Sequence, residues 1–321
     1  MKQFKKIASI LLPIFLGVIL VIYEFNKFTD SQIEQMKSSI YGVNYYFIFI
    51  SGILSLLGYI LRAYRWKYTL EYIGYKADFK FNLTAVSIAY FLNLTIPRSG
   101  EISRAALLTK YKGVPFDKGF GTIISERIID FIVLLLFIAT AVLIEFNTLK
   151  DFLLEYIPLQ SLIILATIGI SLGILGIYLL IYSQWKIILT IKEKISGLTE
   201  GMLSVFKMPH KWMFLFQTAL IWLTYILMFY SVVFALEETR MISFNAVIVA
   251  FVIGSLTVAF TNGGFGFFPV LIAKILLLYQ VPEVAGQAFG WVSWTSQIII
   301  TILLGGIAFL ILSTFTKKEI N

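Results

Sequence analysis

The 321-residue chain contains no cysteine, one histidine and few charged side chains. The absence of cysteine excludes disulfide bonds, thiol catalysis and cysteine-based zinc sites. Charged residues make up only 14% of the sequence and hydrophobic residues 59%, whereas soluble proteins are usually about 25% charged and about 45 to 50% apolar. Together with a mean hydropathy of +0.88, this composition predicts an all-α polytopic membrane protein.

The sequence also lacks a polar stretch long enough to form a soluble domain. The longest polar connection runs from Gln184 to Lys211, so we expect a single membrane domain over residues 1–321. The net charge of +8 comes from Lys and Arg in short segments beside apolar runs, where basic residues orient helices. The charge therefore does not indicate nucleic acid binding.

Apolar runs along the chain predict about six full spans and two interrupted pairs of shorter segments. The predicted spans cover residues 7–23, 44–61, 122–144, 161–182, 212–236 and 288–313. The first follows a basic N-terminus and no small-residue cleavage site follows it, which favours an uncleaved span. The interrupted pairs cover residues 83–108, broken at Pro97 and Gly100, and residues 244–279, broken by the glycines within 263–266. Each arm is shorter than the ~20 residues that a span needs, so each pair predicts a re-entrant helical hairpin.

The distribution of Lys and Arg sets the predicted topology. If the first hairpin enters and leaves on the cytoplasmic side, 20 Lys and Arg lie in inside loops and four in outside loops, in agreement with the positive-inside rule. The N and C termini are then both cytoplasmic. The first hairpin and its flanking spans match the second hairpin and its flanking spans in opposite orientation, which predicts an inverted repeat of the kind found in transporters.

The tip of the first hairpin concentrates charge at membrane depth, where charged side chains are costly and usually functional. Arg98, Glu101 and Arg104 follow the break, and Ser99 is expected to cap the returning half-helix. A helix N-terminus and guanidinium groups both favour an anion, and the second tip presents a half-helix N-terminus as well. The alternative is that Arg98 and Arg104 pair with Glu101 or extend to the membrane surface.

A second cluster, Glu126-Arg127-x-x-Asp130, lies at the entry of the span 122–144. Glu126 and Asp130 are four residues apart and share a helix face, and Arg127 reaches Asp130 at a spacing of three. One interpretation is a further cationic contact plus carboxylates, Glu126 or Asp130, that couple transport to a proton. The other is a structural ion network that links this span to Arg98 and Arg104. The expected substrate-binding residues are Arg98, Ser99, Glu101, Arg104, Arg127, Asn262 and Gly264.

The order of these motifs resembles the flippase-like family that includes the transmembrane region of lysylphosphatidylglycerol synthases and stand-alone homologues. The matching pieces are Asn93-x-x-x-Pro97-x-x-x-Glu101-x-x-Arg104, Glu126-Arg127-x-x-Asp130 and Gly263-Gly264-Phe265-Gly266 near Pro269. The resemblance implies movement of a lipid with a polar headgroup across the bacterial cytoplasmic (inner) membrane. No aminoacyl-transferring domain follows the membrane region, so lysyl transfer by this chain alone is not expected. The turn ends in Phe267-Phe268-Pro269, where the resemblance leads us to expect a glutamate.

These observations favour a lipid translocator that binds an anionic headgroup and uses no catalytic residue, cofactor or metal. The rival interpretation is an intramembrane enzyme, or an accessory subunit that works with a lipid-synthesising or lipid-modifying enzyme as its partner. A motif that activates a nucleophile or binds a metal would favour the enzyme, and the sequence contains no such motif.

Overall fold

The computed structural model describes residues 15–96, 98–148, 150, 159–185, 188–189, 205–261 and 263–315. Regular structure within these ranges is helical. The main helices are α1 (Phe15–Phe25), α2 (Asp30–Tyr41), α3 (Tyr45–Tyr72), α4 (Phe79–Asn93), α5 (Ser99–Lys112), α6 (Phe116–Ile144), α7 (Leu159–Tyr182), α8 (Lys211–Val233), α9 (Phe244–Phe260), α10 (Phe267–Leu277) and α11 (Glu283–Leu312). Pro97, Asn262 and the basic N-terminus lie outside the described residues.

Within the described ranges, four helices are long and apolar enough to cross a membrane: α3, α6, α8 and α11. Helix α7 has 24 residues without a charged side chain. The prediction of an all-helical, polytopic membrane protein is confirmed, but several predicted boundaries are wrong. Helix α3 continues to Tyr72 instead of ending at Leu61, because Arg62 and Arg65 lie inside the protein and not in a loop. Hydropathy alone therefore underestimates the length of this helix.

The structure confirms a helix break in each interrupted pair. Helices α4 and α5 are separated by residues 94–98, and helices α9 and α10 by residues 261–266. The capping role predicted for Ser99 is wrong, because Arg98 occupies the N-cap position with a left-handed backbone (φ 59°). Ser99 is the first helical residue, and its hydroxyl donates hydrogen bonds to the carbonyl oxygens of Leu92 and Ile96. Ser99 thus ties the start of α5 to the end of α4.

Glycine allows the first helix pair to pack closely. A Cβ atom on Gly100 would lie 2.1 Å from the carbonyl oxygen of Ala89, and one on Gly305 would lie 2.4 Å from Cβ of Phe91. No larger residue fits at either position without a backbone shift. Helix α4 is therefore held tightly between α5 and α11.

The two interrupted pairs share a sequence of backbone features in the same order. Each has a side-chain cap before its first helix, a left-handed residue before its second helix, and a left-handed residue followed by Val-Pro and a glycine. In the first pair these are Asp78, Arg98, Gly113 and Val114-Pro115 with Gly119; in the second they are Ser243, Gly266, Gln280 and Val281-Pro282 with Gly286. The two pairs therefore correspond in backbone features that hydropathy does not reveal.

The packing of the helices follows this correspondence. Helix α3 packs most extensively against α8, α4 packs against α11, and α6 packs against α9. Within each pair, α4 contacts α5 and α9 contacts α10. Helix α5 also packs against α6, and α10 packs against α11. Exchanging each helix for its counterpart, α3 for α8, α4 for α9, α5 for α10 and α6 for α11, maps these contacts onto one another.

Candidate functional site

A cluster of ionised side chains lies inside the helix bundle, where α3, α5 and α6 meet. Each of its five innermost members is at most 7% exposed: Arg62, Arg65, Arg104, Glu126 and Asp130. Helix α6 places Glu126 and Asp130 one turn apart on a single face, as the sequence predicted, and α3 presents Arg62 and Arg65 at a spacing of three. Charges so well removed from water persist only when they are paired and hydrogen-bonded.

Asp130 is held by two arginines of α3. Arg65 forms a two-pronged contact, with Nη1 2.6 Å from Oδ1 and Nη2 3.0 Å from Oδ2. Arg62 donates from Nη1 to Oδ2 at 2.9 Å. The pairing predicted with Arg127 is present but longer, at 3.8 Å. The sequence does not predict these partners of Asp130, because the predicted span ends at Leu61, before Arg62 and Arg65; their i, i+3 spacing was the available signal.

Arg104 of α5 packs against an aromatic ring of α3 and pairs with a carboxylate of α6. Its guanidinium lies over the ring of Trp66, 3.7 Å from the centroid, and its Nη1 donates to Oε2 of Glu126 at 2.9 Å. The other two donor atoms, Nε and Nη2, are buried without a hydrogen-bond partner among the described residues. Arg104 thus pairs with Glu126, as the ion-network alternative predicted, and not with Glu101.

Glu101 pairs with Arg127, whose side chain is 35% exposed. Nε of Arg127 lies 3.2 Å from Oε1 of Glu101. Asn93 at the end of α4 contacts the same carboxylate through its amide nitrogen at 3.4 Å and accepts a hydrogen bond from the Gly100 amide at 2.7 Å. Asn93 therefore fixes the geometry of the first tip.

These side chains surround a small cleft between α4, α5 and α6. Its polar lining consists of Tyr90, Asn93, Glu101, Arg104 and Arg127. Its volume of about 10 Å³ is room for roughly one water molecule. The surrounding cluster contains four arginines and three carboxylates, so it carries an excess of one positive charge.

Two further predicted site residues, Arg98 and Gly264, lie at the two tips, and Asn262 lies outside the described residues. Arg98 is exposed and forms no ion pair with the described residues. Gly264 is buried in the second turn, where its amide donates to Oγ1 of Thr261. The tips approach each other, because a Cβ atom on Gly263 would lie 3.7 Å from the Leu94 side chain. Among the described residues, no group of three or more His, Asp or Glu side chains is arranged to hold a metal.

Comparison with known proteins agrees with the motif-based resemblance. Residues 7–314 match the model of the family described as lysylphosphatidylglycerol synthase TM region. A UPF0104 membrane protein of Methanocaldococcus jannaschii is 24% identical over 318 residues, which cover 90% of each chain. A UPF0104 membrane protein of Methanothermobacter thermautotrophicus is 28% identical over 163 residues, which cover 50% of this chain and 45% of that protein. No solved structure matches the chain significantly.

Proposed function

The chain belongs to the lysylphosphatidylglycerol synthase TM-region family, and from this premise we propose that it moves a lipid with an anionic, phosphate-bearing headgroup across the cytoplasmic membrane. The headgroup enters the cleft beside Arg104 while the hydrocarbon tails stay in the bilayer. Arg98 and Arg127, the more exposed cations near the first tip, guide the anion toward it.

The observation that carries this proposal is the unbalanced charge of the buried cluster. Three arginines and two carboxylates are buried together, so the cluster carries one positive charge that a bound anion would neutralise. Arg104 has two unpartnered donors, Nε and Nη2, and it lines the cleft. Two adjacent guanidinium N–H groups match the oxygens of a phosphate, to which arginine binds as a fork.

The proposal includes an inverted repeat built on two re-entrant hairpins, α4–α5 and α9–α10. Two observations support it: the shared order of caps, left-handed residues and Val-Pro pairs, and a set of helix contacts that is preserved when counterparts are exchanged. In transporters, such repeats rock against each other about a central site. The approach of Leu94 to Gly263 brings the two tips together, which supports a site between the halves.

The small size of the cleft is typical of a closed conformation. A space for about one water is too small for a phosphate group with its substituents. The arrangement therefore corresponds to a closed conformation in the proposed cycle. Opening requires α4 and α5 to separate from α6, which lengthens the Glu101–Arg127 contact first because it is the more exposed pair.

Transport is tested in proteoliposomes that contain labelled lipids in one leaflet. The wild type is expected to exchange a phosphate-bearing lipid between leaflets faster than a neutral lipid with the same tails. Arg104→Lys and Arg98→Ala are expected to slow this exchange, because lysine keeps the charge but not the fork and alanine removes the guiding cation. Lys67→Gln, which removes an exposed cation of α3, is the matched control and is expected to act like the wild type.

A second arm distinguishes a lipid from a free anion. Vesicles loaded with labelled inorganic phosphate are expected to retain it, because the proposed cargo stays anchored in the bilayer by its tails. Release of phosphate would identify a carrier of the free anion instead. If the wild type moves neither, or if the arginine variants match it, the anion-site mechanism is wrong. The accessory-subunit interpretation, which the family's description as part of a synthase favours, then becomes the better one.

A further inference from the structure

We infer that Glu126 exchanges its ion pair from Arg104 to Arg65 when an anion enters the cleft, and that Arg65 passes this change to helix α8. Glu126 and Arg65 are then positioning residues for transport, and neither lines the cleft. The inference rests on the proposed function, because it concerns how the same site responds to its cargo.

The first observation is a contact that is nearly made. Oε2 of Glu126 lies 2.9 Å from Nη1 of Arg104 and 3.9 Å from Nη2 of Arg65, so the carboxylate stands between two arginines. Its other oxygen, Oε1, is buried without a hydrogen-bond partner among the described residues, and so is Nε of Arg65. An acceptor and a donor on neighbouring side chains are thus both unsatisfied. Unmade bonds of this kind are costly, so an arrangement that joins Glu126 to Arg65 is energetically accessible.

A bound anion would also act on the pair between Arg104 and Glu126. An anion that takes the fork of Arg104 satisfies its free Nε and Nη2 and repels the carboxylate of Glu126. Glu126 can leave Arg104 without becoming an unpaired buried charge only if another cation receives it. Arg65 is that cation, at 3.9 Å and fully buried. Binding of the anion therefore selects the arrangement in which Glu126 pairs with Arg65.

The second observation is the connection from the cluster to the second half of the chain. Arg65 donates from Nη1 to Oγ1 of Thr218 at 3.0 Å, and Arg62 donates from Nε to the hydroxyl of Tyr225. Thr218 and Tyr225 both belong to α8, the counterpart of α3 on which the arginines lie. An arginine that turns toward Glu126 changes its contact with Thr218. The exchange is thereby transmitted across the α3–α8 contact, between the two halves that are proposed to rock.

This mechanism assigns Glu126 a role different from the proton coupling considered from the sequence. The carboxylate changes its ion-pair partner, and the inference invokes no proton transfer. Each arrangement keeps three carboxylates beside four arginines, and the bound anion removes the remaining excess. The element with two discrete arrangements is the Glu126 side chain itself.

The test measures binding and transport separately on the purified, full-length protein. Binding of a short-chain phosphatidic acid is followed by tryptophan fluorescence, since the cation over the Trp66 ring reports on Arg104. Trp66→Phe identifies the part of the signal that belongs to this ring. Transport is measured as leaflet exchange in proteoliposomes, and thermal unfolding establishes that each variant is folded.

Glu126→Gln is expected to bind the probe more tightly by about fivefold or more, the lower end of ordinary coupling factors, because Arg104 no longer has to be released. The same variant is expected to exchange lipid more slowly, because Arg65 receives no carboxylate. Arg65→Lys keeps the positive charge, and this variant is expected to bind the probe more weakly. A lysine cannot pair with Glu126 and Asp130 at the same time as an arginine can. Arg62→Lys is the matched comparison, because Arg62 also pairs with Asp130 but has no contact with Glu126. The loss of probe binding is therefore expected to be smaller for Arg62→Lys than for Arg65→Lys.

Opposite changes in binding and transport for Glu126→Gln support the exchange. Parallel losses in both, or equal losses for Arg65→Lys and Arg62→Lys, would show a purely structural role and overturn it. If the wild type binds the probe and moves lipid while all these variants do the same, the inference fails and the proposed function stands. If the wild type neither binds nor moves the lipid, the proposed function itself fails.

Discussion

Asp130 provides the strongest test of how the buried cluster is held together. Its carboxylate accepts hydrogen bonds from Arg62 and from both Nη atoms of Arg65, and each of these partners is at most 4% exposed. Asp130→Asn keeps the shape but removes the charge, which leaves two buried arginines without their main counter-ion. Removing one partner of a buried ion pair typically costs about 3 to 5 kcal/mol. At about 2 °C for each kcal/mol in a large chain, the melting temperature is expected to fall by roughly 6 to 10 °C.

The matched variant is Arg127→Gln, which removes the other cation near Asp130. Arg127 is 35% exposed and lies 3.8 Å from the carboxylate, and pairs of this kind contribute only about 0 to 1 kcal/mol. The expected change in melting temperature is therefore small. The melting temperatures of both variants are measured by thermal unfolding of the detergent-solubilised protein, followed by tryptophan fluorescence. If Arg127→Gln lowers the melting temperature as much as Asp130→Asn does, then Arg127 of the same helix is the main partner of Asp130. Arg62 and Arg65 of α3 would then not be its main partners.

Three further predictions concern the frame around the cluster. Gly100→Ala is expected to destabilise the protein and to open the α4–α5 tip, because the new Cβ meets a carbonyl oxygen of α4; limited proteolysis at the tip measures the opening. Burial raises the pKa of Asp78, but hydrogen bonds from Lys112 and a backbone amide outweigh burial and hold that pKa below its ordinary value. The stabilisation by Asp78 is therefore expected to be complete above the ordinary pKa of about 3.9 and to be lost as the pH falls through the lowered value, whereas Asp78→Asn abolishes this dependence in thermal unfolding. In this cysteine-free chain, a cysteine at Lys110 is expected to be shielded from an impermeant reagent added outside intact cells and one at Lys37 to react; the reverse pattern would contradict cytoplasmic termini.

The sequence predicts the helical class and both helix breaks because these features depend on local physics. Length, hydropathy and the conformational limits of glycine and proline act within a few residues and are visible in the chain. Glu101, which follows the first break, lies in the first turn of α5 as the sequence predicts. Glu126 and Asp130 were correctly placed on one face because a helix fixes that relation.

The partners of these residues were harder to predict, because pairing across helices is a tertiary property. Arg62 and Arg65 follow an apolar run, and basic residues in that position usually mark the membrane surface. The structure buries them because α6 supplies Asp130 at the same depth. The count of 20 Lys and Arg in inside loops includes Arg62, Arg65 and Arg104, and the excess of inside charge remains large without these three. A charge beside an apolar run therefore indicates the membrane surface only when no buried counter-ion is available.

The correspondence between the two halves was also invisible in the sequence. It depends on backbone geometry, since Arg98 matches Gly266 and Gly113 matches Gln280 through their left-handed conformations and not through their side chains. Only the Val-Pro pairs and the glycines that follow them are alike in sequence, at Val114-Pro115 and Val281-Pro282. Such short matches carry no weight until their positions in the fold are known.

The central claim is that Arg104 of the buried cluster binds the phosphate of a lipid. The most direct measurement is a cryo-electron microscopy structure of the protein in a lipid nanodisc with a short-chain phosphatidic acid. The account predicts phosphate oxygens at roughly 2.7 to 2.9 Å from Nε and Nη2 of Arg104, with the α4–α5 tip displaced from α6. A phosphate bound elsewhere, with Arg104 still paired to Glu126 beside a closed cleft, would contradict it.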